Sequence, residues 1–248
     1  MAEISARPAG GRVFLSAEWR DLLMLNYEVD PRLLGEYVPS GTELDSFEGR
    51  TYVSLVGFRF LRTRLFEFLP LPFHANFDEV NLRFYVRRRE GAEVRRGVVF
   101  IREIVPRAAI AFVARLAYGE KYVALPMRHC VSTGSGGGTV RYEWRLDGGL
   151  CSMEASASGA PAHPREGSLE QFITEHYWGY SLRRGGGSVE YHVSHVPWRV
   201  WASNGAVFQG DAASLYGSDL ARVIRRRPDS AFIADGSPVL VFAAKPIA

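Results

Sequence analysis

Apolar and polar residues alternate with a period of two along most of this chain, in segments rich in aromatic and β-branched residues that end at turn signals. Successive side chains of a strand point to opposite faces of a sheet, so this period commits most of the chain to β-structure. The pattern predicts nine strands: Arg20–Val29, Arg50–Leu61, Asn76–Arg89, Arg95–Val105, Lys121–Ser132, Thr139–Leu146, Leu150–Ser158, Ser188–His195 and Ser237–Ala244.

Helical signals are fewer and shorter. Asp30 before Pro31 is the pairing of an N-cap with a first-turn proline, and Ser168 with Gln171 has the spacing of a capping box. Four helical segments are predicted: Asp30–Pro39, Pro106–Gly119, Ser168–Tyr180 and Asp211–Pro228, the last interrupted at Gly217. The chain has no composition break and no repeat, so we expect one domain over residues 1–248, mainly antiparallel β (α+β) with short helices laid across it.

Two glycine-rich segments, Gly134–Thr139 and Arg183–Ser188, have the composition of phosphate-binding loops. Each is followed by a strand pattern, so no helix N-terminus is available to receive a phosphate group. We therefore interpret both segments as hairpin turns.

Charge and hydropathy exclude several classes of partner. The net charge is only +3, and the arginine runs lie beside turn signals, which is typical of solvated loop ends rather than of a phosphate-binding track. No segment approaches the ~20 consecutive apolar residues that span a bilayer, and the first residues lack the pattern of a secretory signal. We expect neither a nucleic-acid partner nor a membrane partner.

The cysteines and histidines point to a reduced protein without a metal site. Cys130 and Cys151 fall on predicted strands two apart, about 10 Å from each other, beyond the ~7 Å Cα–Cα limit of a disulfide. We therefore expect two free thiols and a cytoplasmic location. His192 and His195 are three residues apart in a strand and point to opposite faces, and the other histidines show no metal-ligand spacing.

The predicted strand Asn76–Arg89 has a polar face. Its even positions from 80 to 86 are apolar, and its odd positions are Glu79, Asn81, Arg83 and Tyr85. On an open sheet the polar face would meet water, whereas in a closed barrel it would line the interior. Charges in the interior are costly unless they are paired or functional. From this strand alone both interpretations stay open.

Lys121 is unusual because the thirty basic residues of the chain include only two lysines. The other, Lys245, lies near the chain end, whereas Lys121 follows a helix-like run at the start of a strand. One interpretation is a structural residue paired with Glu120. The other is a lysine kept for its amine.

Several segments resemble the acetoacetate decarboxylase-like superfamily. "YEVDPRLLGEYVPSGTELD", "NFDEVNLRFYV" and "LAYGEKYVALP" resemble three segments of the decarboxylases. The closer resemblance is to the uncharacterised YqjF-like group, through "EVNLRFYV", "LEQFITEHYWGY" and "VSHVPW", and it spreads over Trp19 to Trp198. The resemblance implies a cone-shaped, mainly antiparallel β-barrel with a few short helices and a small-molecule pocket, which favours the interior position of the polar face.

The resemblance also implies roles for individual residues. Lys121 takes the place of a Schiff-base lysine, Glu79 that of a strand glutamate and Arg20 that of a pocket arginine, and these three are the implied catalytic residues. Tyr122 stands where the decarboxylases have a second lysine, and Ser54 where they have another acid. The implied substrate-binding residues are Arg83, Tyr122, Ser54, Asn81 and Tyr85. No metal and no other cofactor is expected.

Two functions follow from the resemblance. The first is a lyase of decarboxylase, aldolase or dehydratase type that forms an imine between Lys121 and a small keto acid or related carbonyl compound. A lysine amine attacks a carbonyl only when it is deprotonated, and Tyr122 removes the neighbouring cation that would favour that form. The alternative is a non-catalytic barrel that binds a small apolar or acidic ligand. The oligomeric state stays open, with a homo-oligomer as one option.

Overall fold

The computed structural model describes residues 11–70, 75–106, 121–183 and 185–247. Its strands are β1 (Val13–Glu28), β2 (Glu43–Leu44), β3 (Tyr52–Leu65), β4 (Leu69–Pro70), β5 (Phe77–Glu90), β6 (Glu93–Val105), β7 (Tyr122–Ala124), β8 (Met127–Gly134), β9 (Gly137–Leu146), β10 (Gly149–Ser158), β11 (Trp178–Leu182), β12 (Ser188–His195), β13 (Val200–Gln209), β14 (Ser230–Phe242) and β15 (Lys245–Ile247). Its helices are a 3-10 helix (Pro31–Tyr37), α1 (Leu169–Thr174) and α2 (Ala213–Ile224). The predicted helix Pro106–Gly119 lies outside the described residues except for Pro106, and so does Glu120.

Seven strands close into a barrel in the order β12–β11–β6–β5–β3–β1–β14, and pairing of β12 with β14 closes the ring. Most neighbours are antiparallel, but β11 runs parallel to β6, and β6 runs parallel to β7. Each of the long strands β1, β3 and β5 presents one face to the interior and one to the outside. The prediction of a mainly-β barrel with few helices is confirmed.

The sheet continues beyond the barrel from β14 through β13, β10, β9 and β8. This extension packs against the outside of the barrel, and Gly57 of β3 lies in the contact. A Cβ atom on Gly57 would lie 2.6 Å from Cδ2 of Tyr142 in β9, so only glycine admits this approach. The outer faces of the barrel strands are therefore covered as well as the inner ones.

Two apolar cores result from this arrangement. Side chains between the barrel and the extension form the outer core, which includes Leu25, Leu55, Leu82, Phe84 and Trp144. Side chains inside the barrel form the inner core, which includes Met24, Val56, Phe58, Phe172 and Trp198. Successive side chains of a barrel strand point to opposite faces, so neighbouring residues of one strand belong to different cores.

Most predicted strands are confirmed to within a few residues, and Ser188–His195 coincides with β12. The two glycine-rich segments are the turns of the β8–β9 and β11–β12 hairpins, as predicted. Cys130 lies on β8 and Cys151 on β10, and β9 lies between these two strands. Both cysteines are free; Cys130 is exposed and Cys151 is buried. In the described part of the chain, no helix is long and apolar enough to cross a bilayer.

Several predictions are wrong in extent, and β1 and β14 each begin seven residues before the predicted strands. The strand Lys121–Ser132 is divided into β7 and β8 at Leu125 and Pro126, because proline has no N–H for the ladder. The helix Ser168–Tyr180 ends at Thr174, and Trp178 begins β11, since the aromatic residues there suit a strand better than a helix. Strand β13 was not predicted.

The other two helical signals are confirmed. Asp30 caps the 3-10 helix by accepting a hydrogen bond from the backbone N–H of Arg32 at 3.0 Å. Helix α2 is interrupted at Gly217, whose φ of 77° is a left-handed conformation that glycine adopts at little cost.

Candidate functional site

The odd-numbered face of β5 is turned into the barrel. Glu79, Asn81, Arg83 and Tyr85 expose only 2%, 1%, 9% and 0% of their surfaces. The prediction that this face is enclosed is confirmed. Because buried charges are costly unless paired or used, the contacts of each of these side chains decide what the interior can do.

Glu79 is the centre of a hydrogen-bonded group. Its Oε1 accepts from Nδ2 of Asn81 at 2.9 Å, and its Oε2 accepts from the hydroxyl of Tyr122 at 3.3 Å. Tyr122 lies on β7, beside Glu103 of β6, and its hydroxyl also interacts with that carboxyl group. Glu103 is 1% exposed. Two buried carboxyl groups therefore flank one phenol.

The pKa values in this group suit proton transfer. Burial raises the pKa of Glu79 to about 7, although the hydrogen bonds from Asn81 and Tyr122 and the charge of Arg83 oppose it. Burial, reinforced by the charges of Glu103 and Glu79, raises the pKa of Tyr122 well above its ordinary value. At neutral pH Glu79 can therefore take or give a proton, while Tyr122 remains a donor.

Arg83 places a positive charge in the barrel interior. Its Nη2 donates to the carbonyl oxygen of Ile173 at 3.2 Å, and its Cζ lies 5.8 Å from the ring centroid of Tyr85. Its Nε finds no acceptor among the described residues. A planar guanidinium with free donors is suited to binding a carboxylate.

Ser54 and Tyr85 belong to a polar chain that crosses four barrel strands. Nδ2 of Asn26 donates to Oγ of Ser230 at 3.2 Å, and the Ser54 hydroxyl donates to Oδ1 of Asn26 at 2.7 Å. The hydroxyls of Ser54 and Tyr85 lie 2.6 Å apart, and since the Ser54 proton is used, Tyr85 is the donor. This chain fixes the ring of Tyr85 beside Arg83.

Lys121 and Tyr122 point to opposite faces. Lys121 is exposed, with its Nζ 4.9 Å from the ring centroid of Tyr37, whereas Tyr122 reaches inward to Glu79. The structure thus does not bring Lys121 together with Glu79. Its role as an imine-forming residue stays a prediction, and Glu120, its expected partner, lies outside the described residues.

Arg20 is likewise separate from the Glu79 group. Its Nε and Nη2 donate to Oε2 of Glu18 at 3.1 and 3.0 Å, and its Nη1 donates to the carbonyl oxygen of Gly236 at 3.3 Å. The side chain is 36% exposed. Because its guanidinium is already engaged, Arg83 is the better placed of the two to bind a substrate carboxylate.

An aromatic wall and a buried histidine complete the interior. The His195 ring stacks on Trp198 with centroids 4.3 Å apart and packs against Tyr177 at 4.9 Å. Its Nδ1–H donates to the carbonyl oxygen of Val196 at 2.8 Å, since a carbonyl can only accept. Burial lowers the pKa of His195 to about 4, so the ring is neutral at neutral pH. Other residues of the wall are Trp19, Phe58, Phe60 and Phe77.

The sequence did not predict Glu103, His176 or His195 as interior polar residues. The available signal for both histidines was their position in segments that carry the resemblance, "LEQFITEHYWGY" and "VSHVPW". Within the ranges that the structure describes, no three or more His, Cys, Asp or Glu side chains are grouped so as to hold a metal ion.

Solved structures with this fold include acetoacetate decarboxylases and related enzymes. The acetoacetate decarboxylase of Legionella pneumophila subsp. pneumophila str. Philadelphia 1 matches with a TM-score of 0.65 at 12% identity, over 100% of this chain and 93% of that chain. The enduracididine biosynthesis enzyme MppR, complexed with pyruvate, matches with a TM-score of 0.67 at 12% identity, over 98% of this chain and 93% of that chain. At these identities the likeness shows the fold, and it confirms an acetoacetate decarboxylase-like barrel.

Sequence comparison agrees with the resemblance to the YqjF-like group. The uncharacterized protein YqjF of Bacillus subtilis (strain 168) is 25% identical over 205 residues, which cover 82% of this chain and 81% of that protein. The model of the DUF2071 family, described as an uncharacterized conserved protein, matches residues 16–238. The matched span includes every residue of the barrel interior described above. The chain therefore belongs to the DUF2071 family.

Proposed function

We propose that the barrel interior is the active site of a lyase-type enzyme that acts on a small keto acid or related carbonyl compound, with Glu79 transferring a proton at the carbon next to the carbonyl group. The observation that carries this proposal is the buried Glu79 carboxyl group, hydrogen-bonded to Tyr122, with a pKa of about 7. The fold supports it, because similar solved structures include an acetoacetate decarboxylase and MppR complexed with pyruvate.

The proton transfer follows from the chemistry of the two groups. The Glu79 carboxylate accepts a proton from the carbon, and the electron pair of the C–H bond forms the C=C bond of an enolate. As Glu79 becomes protonated, the single O–H of Tyr122 turns from Glu79 to the carbonyl oxygen, where negative charge develops. In the decarboxylation of a 3-keto acid, the C–C electron pair forms the enolate as carbon dioxide leaves. Protonated Glu79 then delivers its proton to that carbon.

The imine route through Lys121 is a separate form of the same function. Its amine lies at the protein surface against Tyr37, whereas Glu79 and Tyr122 lie together in the interior. We therefore assign the proton transfer to Glu79 and Tyr122 and leave the imine as a distinct prediction. Borohydride trapping separates the two, because it labels a lysine only when an imine forms.

The test is hydrogen–deuterium exchange at carbon. The protein is incubated in D2O with pyruvate, 2-oxobutanoate and acetoacetate, and loss of the C–H signals and formation of acetone are followed by proton NMR. We expect exchange or decarboxylation with at least one compound. Glu79→Gln should slow it by about 10²–10⁴-fold, the usual contribution of general acid–base catalysis. Glu43→Gln, at an exposed glutamate of β2, is the matched control.

Two results would contradict the proposal. The first is an unchanged exchange rate in Glu79→Gln, which would move the chemistry to another group. The second is the absence of exchange and decarboxylation with all three compounds. Saturable binding without turnover would then favour the non-catalytic barrel, for which the aromatic wall of the interior is the supporting observation.

A further inference from the structure

Arg83 carries a buried charge that no carboxylate of the described residues contacts directly. It is 9% exposed, its Nη2 donates only to a backbone carbonyl, and its Nε has no acceptor among the described residues. No ion pair joins it to a carboxylate in the part of the chain that the structure describes. Glu79 on the same face is committed to Asn81 and Tyr122. A guanidinium is retained in such a place at a cost in stability, which indicates that an anion completes it.

His176 is a second unsatisfied group beside it. The ring packs against Phe172 at 5.1 Å and Tyr85 at 4.7 Å between centroids, and its side chain is 2% exposed. Neither ring nitrogen has a hydrogen-bond partner among the described residues. Its Nε2 lies 3.7 Å from Oδ2 of Asp45, which is longer than a hydrogen bond.

Asp45 is not available to neutralise Arg83. Its Oδ2 lies 2.9 Å from Nε of Arg96, and its Oδ1 accepts from the backbone N–H of Ser46 at 3.0 Å. Although burial opposes it, the Arg96 guanidinium holds the pKa of Asp45 below its ordinary value, so this carboxylate stays charged and paired. A direct anionic partner for Arg83 must therefore come from another molecule.

Arg83 and His176 converge on the same place. Both lie against the ring of Tyr85, and the carbonyl that accepts from Arg83 belongs to Ile173, three residues before His176. Burial, with a smaller contribution from the charge of Arg83, lowers the pKa of His176 although Asp45 opposes it, so the ring is neutral at neutral pH and has one N–H to donate. A ligand oxygen at this place would meet a guanidinium donor and an imidazole donor.

We propose that Arg83 and His176 form the binding site for the carboxylate group of a small monocarboxylic acid, held beside the ring of Tyr85. This inference rests on the proposed function and extends it by naming where the acid group of the substrate binds. Arg83 lies four residues from Glu79 on the inner face of β5, so the proposed carboxylate site and the Glu79 group share one interior.

The test compares two ligands of nearly equal shape that differ in charge. Pyruvate carries a carboxylate where hydroxyacetone carries a neutral hydroxymethyl group. Binding of each to the full chain at pH 7 is measured by isothermal titration calorimetry. We expect pyruvate to bind at least about tenfold more tightly than hydroxyacetone, because only the carboxylate can satisfy the guanidinium.

Variants test whether Arg83 and His176 form this binding site. Arg83→Gln should weaken pyruvate binding by at least about tenfold, and His176→Phe, which keeps an aromatic ring and removes both nitrogens, by about three- to tenfold. Arg87→Gln is the control, because Arg87 lies on the same strand but is paired with Glu43 at 2.8 Å.

The outcomes separate this site from the proposed function. Arg83-dependent binding of pyruvate, with no exchange or decarboxylation of any of the three compounds, supports the site and contradicts the function. Exchange that is insensitive to Arg83→Gln does the reverse. Equal binding of pyruvate and hydroxyacetone, or no saturable binding of pyruvate, overturns the site. Should Arg83→Gln fail to fold, Arg83→Lys keeps the charge and removes the planar fork, and the comparison of ligands on the unmodified chain decides by itself.

Discussion

The two faces of β5 are buried to nearly the same extent and built in opposite ways. Val80, Leu82, Phe84 and Val86 on the outer face are 0% exposed, and none of the four residues from Glu79 to Tyr85 on the inner face exceeds 9%. The outer face meets apolar side chains of the extension. The inner face carries a carboxyl group, an amide, a guanidinium and a phenol, and buried atoms of Asn81 and Arg83 find no partner among the described residues.

This difference shows that burial alone does not separate a core from a site. An apolar buried face stabilises the fold in proportion to the area it removes from water. A polar buried face with unsatisfied atoms costs stability, and its persistence is explained by binding or chemistry. Substitutions on the two faces should therefore differ in size, in pH dependence and in their effect on ligands.

The largest effect on stability is expected on the outer face. Phe84→Ala should lower the free energy of unfolding by about 3–5 kcal/mol, because it removes a fully buried ring and leaves a cavity. Tyr85→Phe, one residue along the strand, should cost only about 1 kcal/mol, since it removes one hydroxyl while Ser54 keeps its bond to Asn26. Urea unfolding followed by circular dichroism measures both. Similar losses in the two variants would show that the inner face is a structural network.

The next largest effect is a pH dependence of the free energy of unfolding, which comes from Glu79 on the inner face. The pKa of Glu79 is raised to about 7 in the folded chain, so its contribution is fully present below the pKa of an unfolded glutamate and is lost as the pH rises toward 7. Glutamine does not ionise, so Glu79→Gln removes this loss of stability with rising pH. Relative to the unmodified chain, the variant should gain on the order of 3 kcal/mol between about pH 4.5 and pH 7.5. Urea unfolding at a series of pH values measures this gain, and a constant difference between the two proteins would contradict it.

His195 supplies a control, because its contribution to stability changes with pH in the opposite direction to that of Glu79. Its pKa is lowered to about 4 in the folded chain, so the stability that it contributes is present above about pH 6.5 and is lost as the pH falls. His195→Gln should therefore become less destabilising relative to the unmodified chain as the pH falls from about 6.5 to about 4. Over this interval the contributions of Glu79 and His195 to stability therefore change in opposite directions as the pH falls.

Alternation in the sequence was sufficient to predict most of the long strands and to place Glu79, Asn81, Arg83 and Tyr85 on one face. It was not sufficient to predict Glu103 as their neighbour. The β5–β6 hairpin begins with Glu90 opposite Glu93, a register that would place Arg102 opposite Asn81. A bulge shifts the pairing by one residue beyond Leu82, so that Glu103 lies opposite Asn81. No pattern in the sequence marks this bulge, and a shift of one residue exchanges the faces.

The same limitation explains why Arg20 was selected as the catalytic arginine. Alignment by resemblance selected Arg20 because of its distance from Asp30 along the chain, but chain distance does not report which partner a side chain finds. Arg20 lies beside Glu18 and is paired. Arg83 lies on the inner face, where no described carboxylate forms an ion pair with it. Partner availability in three dimensions, rather than residue type, separates the two arginines.

The smallest effect on stability is expected at Lys121, and it tests the comparison of faces within two adjacent residues. Lys121 is exposed and contacts Tyr37, so Lys121→Ala should change the free energy of unfolding by no more than about 0.5–1 kcal/mol, the range of an exposed cation–π contact. Lys121→Arg keeps the cation and should change it less. Tyr122→Phe removes the inward hydroxyl that donates to Glu79 and should slow exchange at carbon by at least about tenfold. Proton NMR in D2O compares the three variants under one condition. If exchange survives both Lys121 variants and falls in Tyr122→Phe, proton transfer takes place on the inner face. If Lys121→Arg abolishes exchange and borohydride labelling while the protein stays folded, the outward amine carries the chemistry, and the surface near Tyr37 becomes the active site.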